Sequence, residues 1–183
     1  MIYQEGNFYH IYNRGCNKEN IFFSESDYNN LLSRMQQTKN TNNVEIVAYC
    51  LMPNHYHFLL YQDSKKPVSD WLKSLFSGYV QRINRKYDRA GTLFERSAKP
   101  KLVTDENYLI ELIHYIHANP LKHNFVADQL DWKYSSLSYY LNNEQNQSMS
   151  QRAILAYFSD GFNYKDSFSK YLENKTFEEE IKW

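Results

Sequence analysis

The sequence predicts an α+β fold of the ferredoxin-like split βαβ class, an antiparallel sheet of four to five strands with helices packed on one face and a C-terminal helical appendage. Three observations carry this. Hydrophobic patterning runs in the order β-α-β-β-α-β-α along the chain. Two aromatic and β-branched runs, VEIVAYCLM (44–52) and HYHFLLY (55–61), are separated only by Pro53-Asn54, which reads as an antiparallel hairpin. Two long segments around Leu75 and Ile113 repeat apolar residues at helical spacing.

Taken in order, residues 7–13 (NFYHIYN) form the first strand, ended by Arg14-Gly15. Ser24 or Ser26 caps a helix through DYNNLLSRMQQ with Leu31, Leu32 and Met35 on one face, and the polar run TKNTNN (38–43) reads as a loop. After the hairpin, Pro67 and Ser69 open a helix from about Val68 to Tyr87, striped by Trp71, Leu72, Leu75, Tyr79 and Ile83. The turn at Asp88–Gly91 leads into TLFERSAKPKLV, one or two strand segments. Thr104 is placed to cap a helix through DENYLIELIHYIHAN, with Leu109, Leu112, Ile113 and Ile116 as its core stripe and Pro120 as its stop. YSSLSYYL reads as a short helix, and NNEQNQSMSQ (142–151) as a polar linker before two small helices with an acidic end. The division is therefore one domain at 1–141 and a linker with a helical extension at 142–183.

Composition narrows the function. Basic and acidic residues balance at 21 each, which argues against a protein that coats nucleic acid but leaves room for a basic stripe. The chain holds 17 Tyr and 11 Phe, rings that suit either a Tyr-rich core or a surface on which bases stack. Cys16 and Cys50 have no metal or redox spacing. No signal peptide and no apolar stretch of about 18 residues is visible, so a cytoplasmic location is expected.

Three features carry chemistry. His55 and His57 stand two apart in a strand, so both imidazoles project from one face and can hold one divalent ion; alone, such a pair is also what the wet face of a hairpin shows. Tyr115 and Asn119 stand one turn apart on a helix at the border of its core stripe, and an amide oxygen suits Mg²⁺ or Mn²⁺; alone, an interfacial Tyr and an Asn ahead of proline are common. Between Lys73 and Lys101 eight basic residues face two acidic ones, with Phe76, Tyr79, Tyr87 and Phe94 interleaved, as a groove for a single strand needs and as a solvated helix face also displays. Arg14, Arg82, Arg85, Arg96, Lys99 and Lys101 are the candidate phosphate contacts. A metallohydrolase of the His-x-His-x-Asp-His kind is excluded, because Phe58, Leu59 and Leu60 follow His57.

The run FYHIYNRG, MPNHYHFLL, GTLFERS, YIHANPLKH and WKYSSLSYY, spanning about residues 3–141, resembles the HUH single-tyrosine (IS200-like) transposases, and is most similar to their REP-associated branch. The resemblance implies His55, His57 and Asn119 as ligands of a divalent metal, Mg²⁺ or Mn²⁺, and Tyr115 as the nucleophile. It implies an enzyme that nicks and joins single-stranded hairpin or REP-like DNA through a 5′-phosphotyrosine, as a monomer or homodimer. Many such transposases carry Gln where this chain has Asn119. The base for Tyr115 is open between metal-bound water and Glu111, one turn back. His114 and His117 lie about 100° and 200° around the helix from Tyr115 and rank below the named ligands. The alternatives are a non-catalytic single-strand-binding module, whose sheet would need no metal, and an inactive transposase relic.

Overall fold

The computed structural model describes residues 3–42, 44–141 and 163–174. Strands β1 (Phe8–Arg14), β2 (Val44–Met52), β3 (His55–Gln62) and β4 (Lys99–Val103) form one sheet in the order β2-β3-β1-β4, every neighbouring pair antiparallel. Helices α1 (Glu25–Asn42) and α2 (Val68–Lys86) make the two crossovers, the split βαβ arrangement that the pattern predicts. Then come α3 (Glu106–Lys122), α4 (Leu137–Leu141) and α5 (Tyr164–Asn174). No helix among the described residues is long and apolar enough to cross a membrane.

The helices pack on both faces of the sheet rather than on the one face that the sequence predicts. Alternation along β1 and β3 sends Tyr9, Ile11, Tyr56, Phe58 and Leu60 to a core with Leu31, Trp71, Leu75 and Tyr79 of α1 and α2. Phe8 and Leu59 go the other way, to a second core with Leu109, Leu112, Ile113 and Ile116 of α3 and Tyr164 and Phe168 of α5. The sheet is apolar on both sides, and each side needs a cover. A bulge between Ile46 and Ala48 re-phases β2: Val44 and Ile46 face the first core, Val47 and Ala48 both face the second, and Tyr49 and Leu51 return to the first.

Three boundaries differ from the sequence reading. The run 38–43 is not a loop from its start: α1 continues to Asn42, since no Gly or Pro stops it, and the Thr38 hydroxyl donates back to the Arg34 carbonyl. Asp105, not Thr104, caps α3, its carboxylate accepting from the Tyr108 N–H at 2.7 Å. Pro120 does not stop α3; it is buried in the last turn, and the helix runs on to Lys122 because packing there outweighs the lost donor. The polar linker at 142–151 lies outside the described residues, and α5 of the expected extension is packed into the second core.

The β2–β3 turn, which presents His55, is gripped by the segment after β1. The Ile21 and Phe22 N–H groups donate to the Pro53 carbonyl at 2.7 and 3.1 Å, and the Gly15 N–H donates to that of Asn54 at 2.8 Å. A Cβ at Gly15 would stand 2.0 Å from the Glu19 carbonyl oxygen, so this segment closes only over glycine. At its far end, buried Asp27 accepts from Lys86, Tyr87 and the Phe23 and Ser24 N–H groups, tying α1 to α2. Gly15→Ala is expected to lower unfolding free energy by about 1–3 kcal/mol, as overpacked sites do. Urea denaturation of the two proteins reads this directly, and unchanged stability would mean that the segment yields freely.

Candidate active site

The sheet face under α3 brings together residues far apart in sequence. His55 and His57 project from β3 on that face, with ring centroids 5.3 Å apart and nearly perpendicular at 86°. Tyr115 comes down from α3 and sets its ring 5.5 Å from that of His57, at 89°. One turn on, the Asn119 Nδ2 donates to the Tyr115 carbonyl at 3.1 Å, leaving Oδ1 3.2 Å from His55 Nε2. The four residues singled out by spacing are thus one cluster, and His55, His57 and Asn119 are buried.

The hydrogen bonds around His55 carry chemical information. Asn119 is oriented by its bond to Tyr115, and Asn54 by donating Nδ2 to the Lys18 carbonyl at 3.2 Å. Both therefore turn a carbonyl oxygen to the imidazole, Asn54 Oδ1 lying 2.7 Å from Nδ1. A neutral imidazole has one N–H. With that proton on Nδ1, towards Asn54, Nε2 faces the Asn119 oxygen with its lone pair, an arrangement that a shared cation relieves. Ligands at right angles about 2.1 Å from one octahedral ion stand about 3 Å apart. The His55 Nε2–Asn119 Oδ1 distance thus matches two ligands of one divalent ion, and two imidazoles with an amide oxygen suit such an ion in chemistry. Among the described residues no three His, Cys, Asp or Glu side chains form such a group; the third donor here is an amide.

Electrostatics agree. Burial, opposed by the Asn119 contact and helped by nearby His123, pushes His55 down to about 4. Burial first, then His10, His55, His123 and Lys122, hold His57 well below the ordinary imidazole range. Both rings are therefore neutral near pH 7, as ligands must be. Burial pushes the Tyr115 phenol up to about 12, with Asn119 acting in the opposite sense.

The cationic candidates divide. Lys99 and Lys101 pair across from Tyr12 and His10, which puts them on the histidine face at the sheet edge. Arg82 and Arg85 lie on α2, which covers the opposite face, and Arg82 stands 3.6 Å from Asp27. Arg14 is paired with Glu95, and Arg96 is 3.7 Å from the same carboxylate. Among the described residues Lys99, Lys101 and Arg85 form no ion pair. Glu111 is exposed, with Tyr171 of α5 among its electrostatic neighbours.

Sequence reasoning missed three residues. Lys122 holds its ammonium 5.3 Å from the Tyr115 ring centroid, and the His123 ring lies 5.0 Å from that of His55. Both follow Asn119 by three or four residues, so the helical spacing that linked Tyr115 to Asn119 could have found them. His10 of β1 sets Nε2 3.0 Å from His57 Nδ1, and no local pattern marks it, because the contact depends on strand register.

Residues 4–119, from before β1 to Asn119, match the family described as Transposase IS200 like. The chain belongs to that family. As a transposase it is an enzyme that cleaves and joins DNA. A Haemophilus influenzae protein that bears the name of a REP-associated tyrosine transposase is 30% identical over 126 residues, 61% of this chain and 69% of that one. The fold is similar to that of a solved REP-associated tyrosine transposase bound to a REP hairpin, with a TM-score of 0.67 at 15% identity, over 81% of this chain and 87% of that one.

The transposase's α3 is held from behind by its own later residues. His117 Nδ1 lies 2.6 Å from the Tyr164 hydroxyl and Nε2 2.7 Å from Ser136 Oγ, while the His114 ring sits among Tyr164, Phe168 and Tyr171. Both histidines thus serve the α3–α5 packing rather than the cluster around His55. Burial pushes His10 and His117 down to about 3 and His114, like His55, to about 4. The unfolded chain takes up these protons near pH 6.5 and the folded chain does not, so stability falls as pH drops from 6.5 towards 3, by about 1.4 kcal/mol per proton per pH unit. Urea titrations at pH 7.5 and 5.0 should show this loss, and His114→Phe should make the slope shallower by about one proton. Equal stability at the two pH values would show that these rings titrate normally.

Proposed function

We propose that this transposase nicks and rejoins single-stranded hairpin DNA of the REP type, with Tyr115 as nucleophile and His55, His57 and Asn119 holding Mg²⁺ or Mn²⁺. The observation that carries the reading is the convergence of His55 Nε2 and Asn119 Oδ1 beside the Tyr115 ring. The hairpin substrate is taken from the solved structural relative and from the resemblance to the REP-associated branch.

A divalent ion on these three ligands supplies Lewis-acid stabilisation of the negative charge that builds on the scissile phosphate. The rest falls to the chain. Asn119 locks the backbone of Tyr115 through its Nδ2 bond and so fixes the phenol relative to the ligands. The Tyr115 oxygen attacks phosphorus in line and gives up its proton. The bond from phosphorus to the 3′ oxygen breaks, that oxygen leaves as a 3′-hydroxyl after taking a proton, and phosphorus stays on the tyrosine. Attack by another 3′-hydroxyl reverses the step, with no outside energy source. A phenol pushed up to about 12 is a poor nucleophile at pH 7, and the Lys122 ammonium, 5.3 Å from its ring, supplies positive charge on the side that favours the phenolate. The Tyr115 ring meets His57 within one chain, which supports a nucleophile that serves its own site. Lys99 and Lys101, at the edge of the histidine face, take phosphates of the bound strand, with Arg96 and Arg14 as more distant contacts, while Arg82 and Arg85 on the opposite face lie outside this path.

Incubated with a labelled single-stranded hairpin pool and Mg²⁺ or Mn²⁺, the protein should form a covalent adduct that survives a denaturing gel. EDTA and Tyr115→Phe should each abolish it, with hairpin binding retained in the phenylalanine variant. An adduct that persists in Tyr115→Phe, or with EDTA, sinks this reading. The double variant Lys99→Ala, Lys101→Ala should weaken hairpin binding about equally across sequences and reduce the slope of log affinity against log salt by about 1–2. An unchanged slope would remove both lysines from the DNA path.

A further inference from the structure

His10 lies outside every role given so far, yet it is fully buried in the middle of the sheet and touches one ligand candidate directly. β1 pairs with β3 so that Tyr12 faces His57 and His10 faces Leu59, which places His10 diagonally beside His57 on the same face. The two rings are nearly parallel, at 19°, with centroids 5.2 Å apart. His10 Nε2 stands 3.0 Å from His57 Nδ1, a hydrogen-bond distance in which one ring donates and the other accepts. His10 Nδ1 has no partner among the described residues.

The proton in that bond has two places. If it sits on His10 Nε2, His57 accepts at Nδ1 and must carry its own proton on Nε2, where it cannot bind a metal. If it sits on His57 Nδ1, that ring donates to His10, and Nε2 keeps its lone pair. The partnerless His10 Nδ1 is common to both, so counting hydrogen bonds does not separate them. A cation at His57 Nε2 does, because it requires the second arrangement.

We propose that His10 is a positioning residue for the metal ligand His57: its Nε2 accepts from His57 Nδ1–H, which fixes the ring's tautomer and angle and leaves Nε2 to the ion. The inference rests on the reading of His57 as a ligand. Histidine ligands commonly hand their second N–H to an oxygen acceptor, and losing such a partner typically costs about 10- to 100-fold in metal affinity. Here a second imidazole occupies that place, and it comes from the neighbouring strand rather than from a loop.

The test is Mn²⁺ binding to DNA-free protein, read from the electron paramagnetic resonance of free Mn²⁺, together with thermal unfolding in EDTA. His10→Phe keeps a ring of similar size and removes the acceptor. It should weaken Mn²⁺ binding about 10- to 100-fold, with a melting temperature in EDTA equal to or above that of the wild type, since the partnerless nitrogen goes too. His10→Gln, which returns an acceptor, should bind Mn²⁺ within about threefold of the wild type. If His10→Phe does not fold, His10→Met removes the ring acceptor with a more adaptable side chain and carries the same expectation. His57→Ala is the control and should abolish the binding. A wild type that takes up no Mn²⁺ overturns the metal reading and this inference with it. A wild type that binds, with His57→Ala silent and His10→Phe binding equally well, overturns only the role of His10. A lowered melting temperature in EDTA with unchanged Mn²⁺ affinity assigns His10 to the core and also overturns it.

Discussion

Asn119 works in two directions at once. Its Nδ2 donates to the carbonyl of Tyr115 one turn back, and its Oδ1 faces His55 across the gap between helix and sheet. A buried amide that satisfies its own helix and still offers an oxygen to a neighbouring strand constrains everything around it. The helix must sit at the height where Oδ1 meets Nε2. Tyr115, one turn before, is then delivered beside His57 with no further adjustment. The second core sets that height, with Leu109, Leu112, Ile113 and Ile116 seated on Phe8, Ala48 and Leu59. The chemistry of the cluster thus depends on ordinary apolar packing a few ångströms behind it.

Burial shapes the electrostatics in one sense throughout. It keeps His10, His55, His57, His114 and His117 neutral, and it makes the Tyr115 phenol harder to ionise. A dry, neutral pocket suits metal ligation but disfavours both an incoming phosphate and a phenolate. The compensating charge stands at the rim, where Lys101 is exposed and Lys99 and Lys122 are half-buried. Neutral rings inside and cations at the rim are what the proposed site requires of neutral metal donors and an anionic substrate.

What the sequence revealed, and what it withheld, follows from the range of the interactions. His55 with His57, and Tyr115 with Asn119, are local pairs whose spacing maps onto strand and helix periods, so they were legible, as were the apolar stripes of α2 and α3. His10 was not, because its place beside His57 depends on the register of β1 against β3, some forty-seven positions away. The two-sided burial of the sheet was hidden partly by the bulge in β2, which puts Val47 and Ala48 on one face and breaks the alternation a reader would count. Capping by Asp105 rather than Thr104 is a choice between adjacent oxygens that local propensity does not separate. Arg82 showed the reverse problem: it counted as part of a basic stripe, but the fold sets it beside Asp27.

The hydrogen bonds behind α3 also bear on how far this helix is transferable. His117 fills both of its nitrogens with hydroxyls, Tyr164 from α5 and Ser136 from the segment that bridges the edge of β2. Both hydroxyls lie after Asn119, where the match to the family ends. A tyrosine helix grafted from this chain into a relative would therefore arrive with two buried nitrogens and no guarantee of partners. In a chimera, α3, Ser136 and Tyr164 are one inheritable unit, although some forty residues separate the helix from its last member.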